Sequence, residues 1–232
     1  MATLQSIDKL VQEMEAGLHK PGRWLPEHPV IGKLERGELS RAQIAGMMGQ
    51  IYKQTTEVVR WLGALYAKCP IKSVRREIFN NLLEEELGHF SGTDAHFDLA
   101  RRVGEAAGAT REEMESTKLL PATDRLIKLG EHMFFEEDDW VAAFGTAFGF
   151  EYQSPMAFGP IAEALKKSYG MSDHDVEFFS VHVTADEDHT GAIVKVIEKY
   201  ASGPDTHEKV KQAAWKYGDY YHDMMSTYEA FK

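Results

Sequence analysis

An all-α fold, about seven helices in one bundle, is what this chain predicts, and three observations carry the prediction. Leu, Ala, Glu, Lys and Met are plentiful and β-branched runs are few, a composition that favours helix. No stretch alternates apolar and polar residues with period two. Apolar residues recur instead at helical spacing over long segments that end at Pro or Gly. The 232 residues, 43% of them hydrophobic, are enough for a packed core, and no linker, repeat or low-complexity stretch divides them. Residues 1–232 therefore read as one domain.

The elements follow in order. Residues 4–19 form a first amphipathic helix, and Pro21, Gly22, Pro26 and Pro29 make the loop after it. A short helix is expected from Val30 to Arg36. Ser40 and Gln43 have the spacing of a capping box and open a long helix. Its buried face is Ile44, Met47, Met48, Ile51, Thr55, Val58, Leu62 and Leu65, and Pro70 ends it. A helical pattern then runs from Ser73 to Arg102, followed by a polar segment to Ser116 and a loop around Pro121. From Asp124 to Lys167 the pattern is helical with breaks. Ser172 is placed to cap the next helix, and Gly203-Pro204 precedes a last one carrying Trp215, Tyr217, Tyr220, Tyr221, Met224 and Tyr228. That aromatic stripe reads as core or as a homodimer interface.

Charge and cysteine usage exclude several classes. The net charge is −11 and no dense Lys/Arg cluster is present, so nucleic acid is not an expected partner. The one cysteine, Cys69, rules out an intramolecular disulfide and a cysteine-based zinc site. No apolar run approaches the ~20 residues needed to cross a bilayer, and the N-terminus lacks a signal-peptide pattern. A cytoplasmic protein with no membrane contact is expected.

The chemistry concentrates near the C-terminus. His182, Asp186 and His189 lie within a ~60° arc of one helix face. Phe178, Phe179, Val183, Ile193, Val196 and Ile197 share that face, while Glu187, Asp188, Lys195, Glu198 and Lys199 point away. Two imidazoles and a carboxylate on an apolar stripe need a partner, because burying them unpaired is costly. A metal ion suits them, with iron, manganese or zinc as candidates. Glu151 is a second such interruption, on a stripe with Trp140, Phe144, Ala147, Phe148, Phe158 and Leu165; Pro155 four residues on removes the donor to its carbonyl and kinks the helix beside it. The third is the segment from Asn81 to His96, read with the residues that flank it. Its inward face is read as Ile78, Leu82, Glu86, His89, Thr93, His96 and Phe97, and Glu86-x-x-His89 has the form of the unit found in di-iron bundles. His89 and His96 both stand as candidate ligands beside Glu86, and Gly88, Ser91 and Gly92 between them permit a local break. Glu57 lies ~120° off the apolar face of its helix and is not counted. The remaining histidines, His19, His28, His132, His174, His207 and His222, read as surface residues.

Taken together these residues resemble the heme-oxygenase-like diiron oxidases and oxygenases. That pattern is a Glu and a His on one helix, a Glu on a later helix, then His-x-x-x-Asp-x-x-His; this chain has Glu86, His96, Glu151 and His182-Val-Thr-Ala-Asp186-Glu-Asp-His189 in that order. The resemblance extends in helix order over nearly the whole chain and includes the TenA-like proteins. It implies a heme-oxygenase-like helical fold and a site of Glu86, His96, Glu151, His182, Asp186 and His189 holding two Fe(II) ions, with Mn or Zn as substitutes. The family distance to Glu151 favours His96 over His89.

The resemblance implies an O2-dependent oxidation of a small organic substrate, namely an amino acid, amine or fatty acid derivative. Tyr52, Phe144, Phe148 and Phe179 are the expected pocket walls, with Lys53 or Arg60 as partners for a carboxylate. Two other readings stand beside it: a non-catalytic metal-binding or interaction protein, and a metal-free thiamin-salvage hydrolase of the TenA type. The latter uses a cysteine nucleophile, which no later helix of this chain supplies.

Overall fold

The computed structural model describes residues 7–232, with the side chains of Ile7 and of residues 184–189 outside the description. It is all-α, without a strand among the described residues. Eleven α-helices appear among those residues: α1 (Ile7–Leu18), α2 (Pro29–Glu35), α3 (Arg41–Lys68), α4 (Lys72–Leu87), α5 (His96–Ala106), α6 (Arg111–Glu115), α7 (Pro121–Glu131), α8 (Ala142–Glu151), α9 (Ser154–Tyr169), α10 (Glu177–Tyr200) and α11 (Pro204–Met225). A π-turn follows α7, and short 3-10 turns precede α2 and follow α11. None of the described helices is long and apolar enough to cross a membrane.

Local chemistry sets the boundaries. The Ser40–Gln43 capping box opens α3 as expected, and Thr110 with Glu113 forms a second one that opens α6. The count exceeds seven because the long patterns are broken. The segment 73–102 divides at Gly88, which adopts φ +56° and caps α4; a Cβ there would stand 2.3 Å from the Thr93 carbonyl oxygen. The segment 124–167 divides at the π-turn and again at Gln153, where Pro155 enters the first turn of α9. Ser172 does not cap α10. It exchanges hydrogen bonds with Asp175 in the turn before it, and the helix begins at Glu177.

One contiguous apolar core joins the helices. In it α3 packs on α4 and α5, α10 on α8 and α9, and α11 on α1, α7 and α8. The α8–α11 crossing is the tightest. A Cβ at Gly145 would lie 2.2 Å from the Val210 carbonyl oxygen, and one at Gly149 2.5 Å from that of Ala214, so only glycine lets the backbones meet. This crossing holds the C-terminus of α8, and with it Glu151, at a fixed depth. The stripe on α11 is core: Tyr217, Tyr221, Met224 and Tyr228 are all buried.

Two histidines expected at the surface are buried instead. His28 accepts a hydrogen bond from the Val30 N–H at Nδ1 and approaches the His222 carbonyl (3.1 Å) and the Ser226 hydroxyl (3.0 Å) through Nε2. Burial, then the neighbouring His222, lowers its pKa to about 3, so it is a neutral cap of α2. His207 is buried with Nε2 3.2 Å from the Ala201 carbonyl.

The α8–α11 contact predicts that Gly145→Ala destabilises the protein by about 1–3 kcal/mol through overpacking. Gly63 lies in α3 with open space around its Cα, so Gly63→Ala should stabilise by roughly 0.5–1 kcal/mol. Urea unfolding of the two variants checks this; equal shifts would mean that the crossing is not close-packed.

Candidate metal centre

Three helices deliver a ligand set. Glu85 near the end of α4, His96 at the start of α5 and His182 in α10 place a carboxylate oxygen and two imidazole nitrogens within 4.8 Å of one another. Both histidines are buried, and their rings stand 4.6 Å apart at 61°. The His182 Nδ1–H donates to the Phe178 carbonyl at 2.6 Å, which leaves the ligand role to Nε2. Phe150, Phe158 and Phe178 pack around that ring at 4.7–6.1 Å between centroids and hold its orientation.

His96 sits between two carboxylates. Its Nδ1 is 3.0 Å from Glu85 Oε1 and its Nε2 3.3 Å from Glu84 Oε1. Burial works against the charged ring, but Glu85 and then Glu84 outweigh it and raise the pKa to about 9. Glu84 is buried and tied down by its other oxygen, which accepts the N–H groups of Phe90 (2.6 Å) and Ser91 (3.2 Å). Burial pushes its carboxyl up, yet these hydrogen bonds and His96 hold it below the ordinary range. Glu84 therefore positions His96 and closes the loop, and Glu85 is the carboxylate grouped with His96 and His182.

The site thus corrects one residue. Glu86 is exposed and lines no part of the cavity described below. On α4 the face shared by Val74, Ile78, Asn81 and Glu85 turns inward, and Glu86 lies ~100° from it. Counting ten residues from His96 back to Glu86 assumes one unbroken helix, and the break at Gly88 resets that phase. Between the rival histidines, His96 is the one brought in; His89 is exposed against the edge of Phe90. Glu151 is buried at the end of α8 and lines the same cavity as Glu84, Glu85 and His182. The Asp186 and His189 side chains lie outside the described residues. Glu57 pairs with Arg60 away from the site.

A cavity of about 510 Å³ opens onto these groups. Trp61, Phe134, Phe144, Phe150, Tyr217 and Tyr221 form its aromatic walls, with Glu77, Asn80, Phe90 and Ser91 at its exposed rim. Of the expected wall residues only Phe144 is there. Phe148 and Phe179 are wholly inside the core, Tyr52 is half-buried elsewhere, and Lys53 donates to the Glu115 carbonyl. Cys69 is buried at the end of α3, outside the cavity, where burial raises its thiol pKa.

The donor set fits a divalent iron: two imidazoles, an adjacent carboxylate and a further buried Glu, around a site whose own charge balance calls for a cation. A metal must expel the His96 proton. With that pKa at about 9, apparent affinity for Mn(II) or Co(II) should rise with pH, by about tenfold per unit through neutrality for one proton released. The metal-free protein should show the opposite slope. A raised folded-state pKa stabilises fully below the unfolded value, and that stabilisation is lost as pH rises through about 9. Competition titrations and melting curves at several pH values check both signs. Glu85→Ala should abolish high-affinity metal binding, whereas Glu86→Ala should leave metal content within error; equal loss would reject Glu85 as the ligand.

Residues 47–222 match the model of a family described as iron-containing redox enzyme. A 4-aminobenzoate synthase of Nitrosomonas europaea is 28% identical, over 94% of this chain and 90% of its own. A pyrroloquinoline-quinone synthase of Cronobacter sakazakii is 28% identical over 54% of this chain and 51% of its own. Among solved structures, a domain of unknown function with a heme oxygenase-like fold from Shewanella denitrificans superimposes with a TM-score of 0.79, at 17% identity, over 98% of this chain and 94% of its own. The protein is an enzyme of the iron-containing redox family, built on the heme oxygenase-like fold.

Proposed function

We propose that the chain is an O2-dependent non-heme di-iron oxidase or oxygenase acting on a small organic substrate. The observation that carries this is the junction of Glu85, His96 and His182 with an aromatic cavity large enough for a small molecule. In this reading the iron ligands are Glu85, His96, Glu151, His182, Asp186 and His189, three carboxylates and three imidazoles that nearly balance two ferrous ions. Bound ferrous iron supplies the electrons that reduce O2.

The protein's own contribution is orientation and exclusion of water. Glu84 fixes the His96 ring, the Phe178 carbonyl fixes that of His182, and the aromatic walls shield the metal group from bulk water. An amino acid, amine or fatty acid derivative fits the space. We further place the chain in the cytoplasm, as a homodimer of single-domain subunits.

Anaerobic loading should give two Fe(II) per chain, and O2 uptake should exceed that of free iron when a substrate from those classes is present. Asp186→Ala should lower iron content more than Asp188→Ala, although both remove one negative charge. Full iron loading with O2 uptake at the free-iron rate for every compound would overturn the oxidase reading.

A further inference from the structure

The cavity wall carries one sign of charge. Glu77, Glu84, Glu85 and Glu151 line it, and among the described residues no Lys or Arg does. Residues 184–189, Thr-Ala-Asp-Glu-Asp-His, contain neither type. The cations of the adjoining helix α3 are held elsewhere: Arg41 by the Ala106 and Tyr169 carbonyls, Lys53 by the Glu115 carbonyl, Arg60 by Glu57 and Lys68 by the Glu137 carbonyl. From this pattern we infer that the cavity selects an organic amine, its ammonium set on the polar stripe of α4 and its apolar body against the aromatic walls. The inference rests on the reading of this cavity as the substrate site.

Three features of the wall support an amine over an acid. Aromatic faces interleaved with carboxylates attract organic cations, through the ring quadrupole and through direct charge. An organic anion would find no Lys or Arg among the described lining residues: Glu84 and Glu85 already engage His96, iron takes Glu85 and Glu151 in this reading, and Glu77 at the rim repels a carboxylate. Asn81 Oδ1 and Thr146 Oγ, both on lining residues, are buried and make no hydrogen bond among the described residues. The first is purely an acceptor and the second accepts as well as donates, whereas an ammonium brings three donors. Trp61 Nε1, buried and likewise without a partner, is a donor and argues the other way. One neutral N–H does not offset the burial of a carboxylate in a wall whose described residues include no Lys or Arg.

The geometry also sets a length. Glu77, Asn80, Asn81, Glu84 and Glu85 run along one side of the cavity from rim to metal group. At the rise of an α-helix, Glu85 lies ~6 Å from Asn81 and ~12 Å from Glu77 along the axis. The ammonium and the reacting carbon of the substrate should be separated by a distance of that order.

The test uses a matched set: 4-phenylbutylamine, 4-phenylbutyrate and 4-phenylbutanol. Their binding is measured by calorimetry to the anaerobic iron-loaded chain and again to the metal-free chain, where an acid cannot gain by coordinating iron. The amine should bind at least roughly tenfold more tightly than the acid to the metal-free chain. Glu77→Gln, a change at an exposed position, and Asn81→Leu should each cut amine affinity several-fold and leave the alcohol unaffected. Equal binding of amine and acid, tighter binding of the acid, no binding of the amine, or an amine preference that survives both substitutions would overturn the inference. Amine binding that persists while iron-loaded protein consumes no O2 would instead count against the oxidase reading.

Discussion

The carboxylate of Glu84 is the constraint on which the site depends. One of its oxygens accepts two backbone N–H groups from the loop after α4, and the other faces the ring of His96 at the start of α5. Without it, the chain reversal at Gly88 would lose the carboxylate that ties two of its N–H groups to α4, and the His96 ring would lose one of its two carboxylate partners. Glu85, the next residue, is thereby aimed at the other ring nitrogen. A loop-closing hydrogen bond and a metal ligand are thus adjacent on one helix, and the loop cannot loosen without moving the ligand.

That arrangement explains how an apolar interior tolerates so many carboxylates. Glu84 and Glu85 flank the ring of His96 beside His182, Glu151 lines the same cavity, and the two flanking carboxylates raise the His96 pKa to about 9. A proton and a divalent cation answer the same demand at the Glu84–His96–Glu85 group. The scaffold around them is stiff: α8 and α11 touch backbone to backbone at Gly145 and Gly149, and aromatic rings pack about His182. Preorganisation of this kind lets a metal bind in a defined geometry.

Much of this was legible in the sequence, and what was not has physical reasons. The helical class, the Ser40 capping box, the break near Pro155 and the buried positions of Glu151 and His182 all follow from periodicity and local signals, because those act over a few residues. The assignment of Glu86 does not hold, since a phase counted through Gly88 and Gly92 is meaningless once the chain turns there; the two glycines flanking Ser91 were the available warning. The cavity walls were not legible either. Periodicity marks Phe148 and Phe179 as buried, as they are, but whether a buried ring faces a void or another ring is decided by elements distant in sequence. His28 and His207 show the same limit, buried by contacts with residues that no local pattern reveals.

Anomalous diffraction at the iron edge, from crystals loaded with Fe(II) without O2, locates the metal and its ligands. Iron should be found bonded to Glu85, to one nitrogen of His96 and to Nε2 of His182, with Glu151 at the same centre. Iron bound through Glu86 or His89, or bound only at surface carboxylates, would contradict that ligand set.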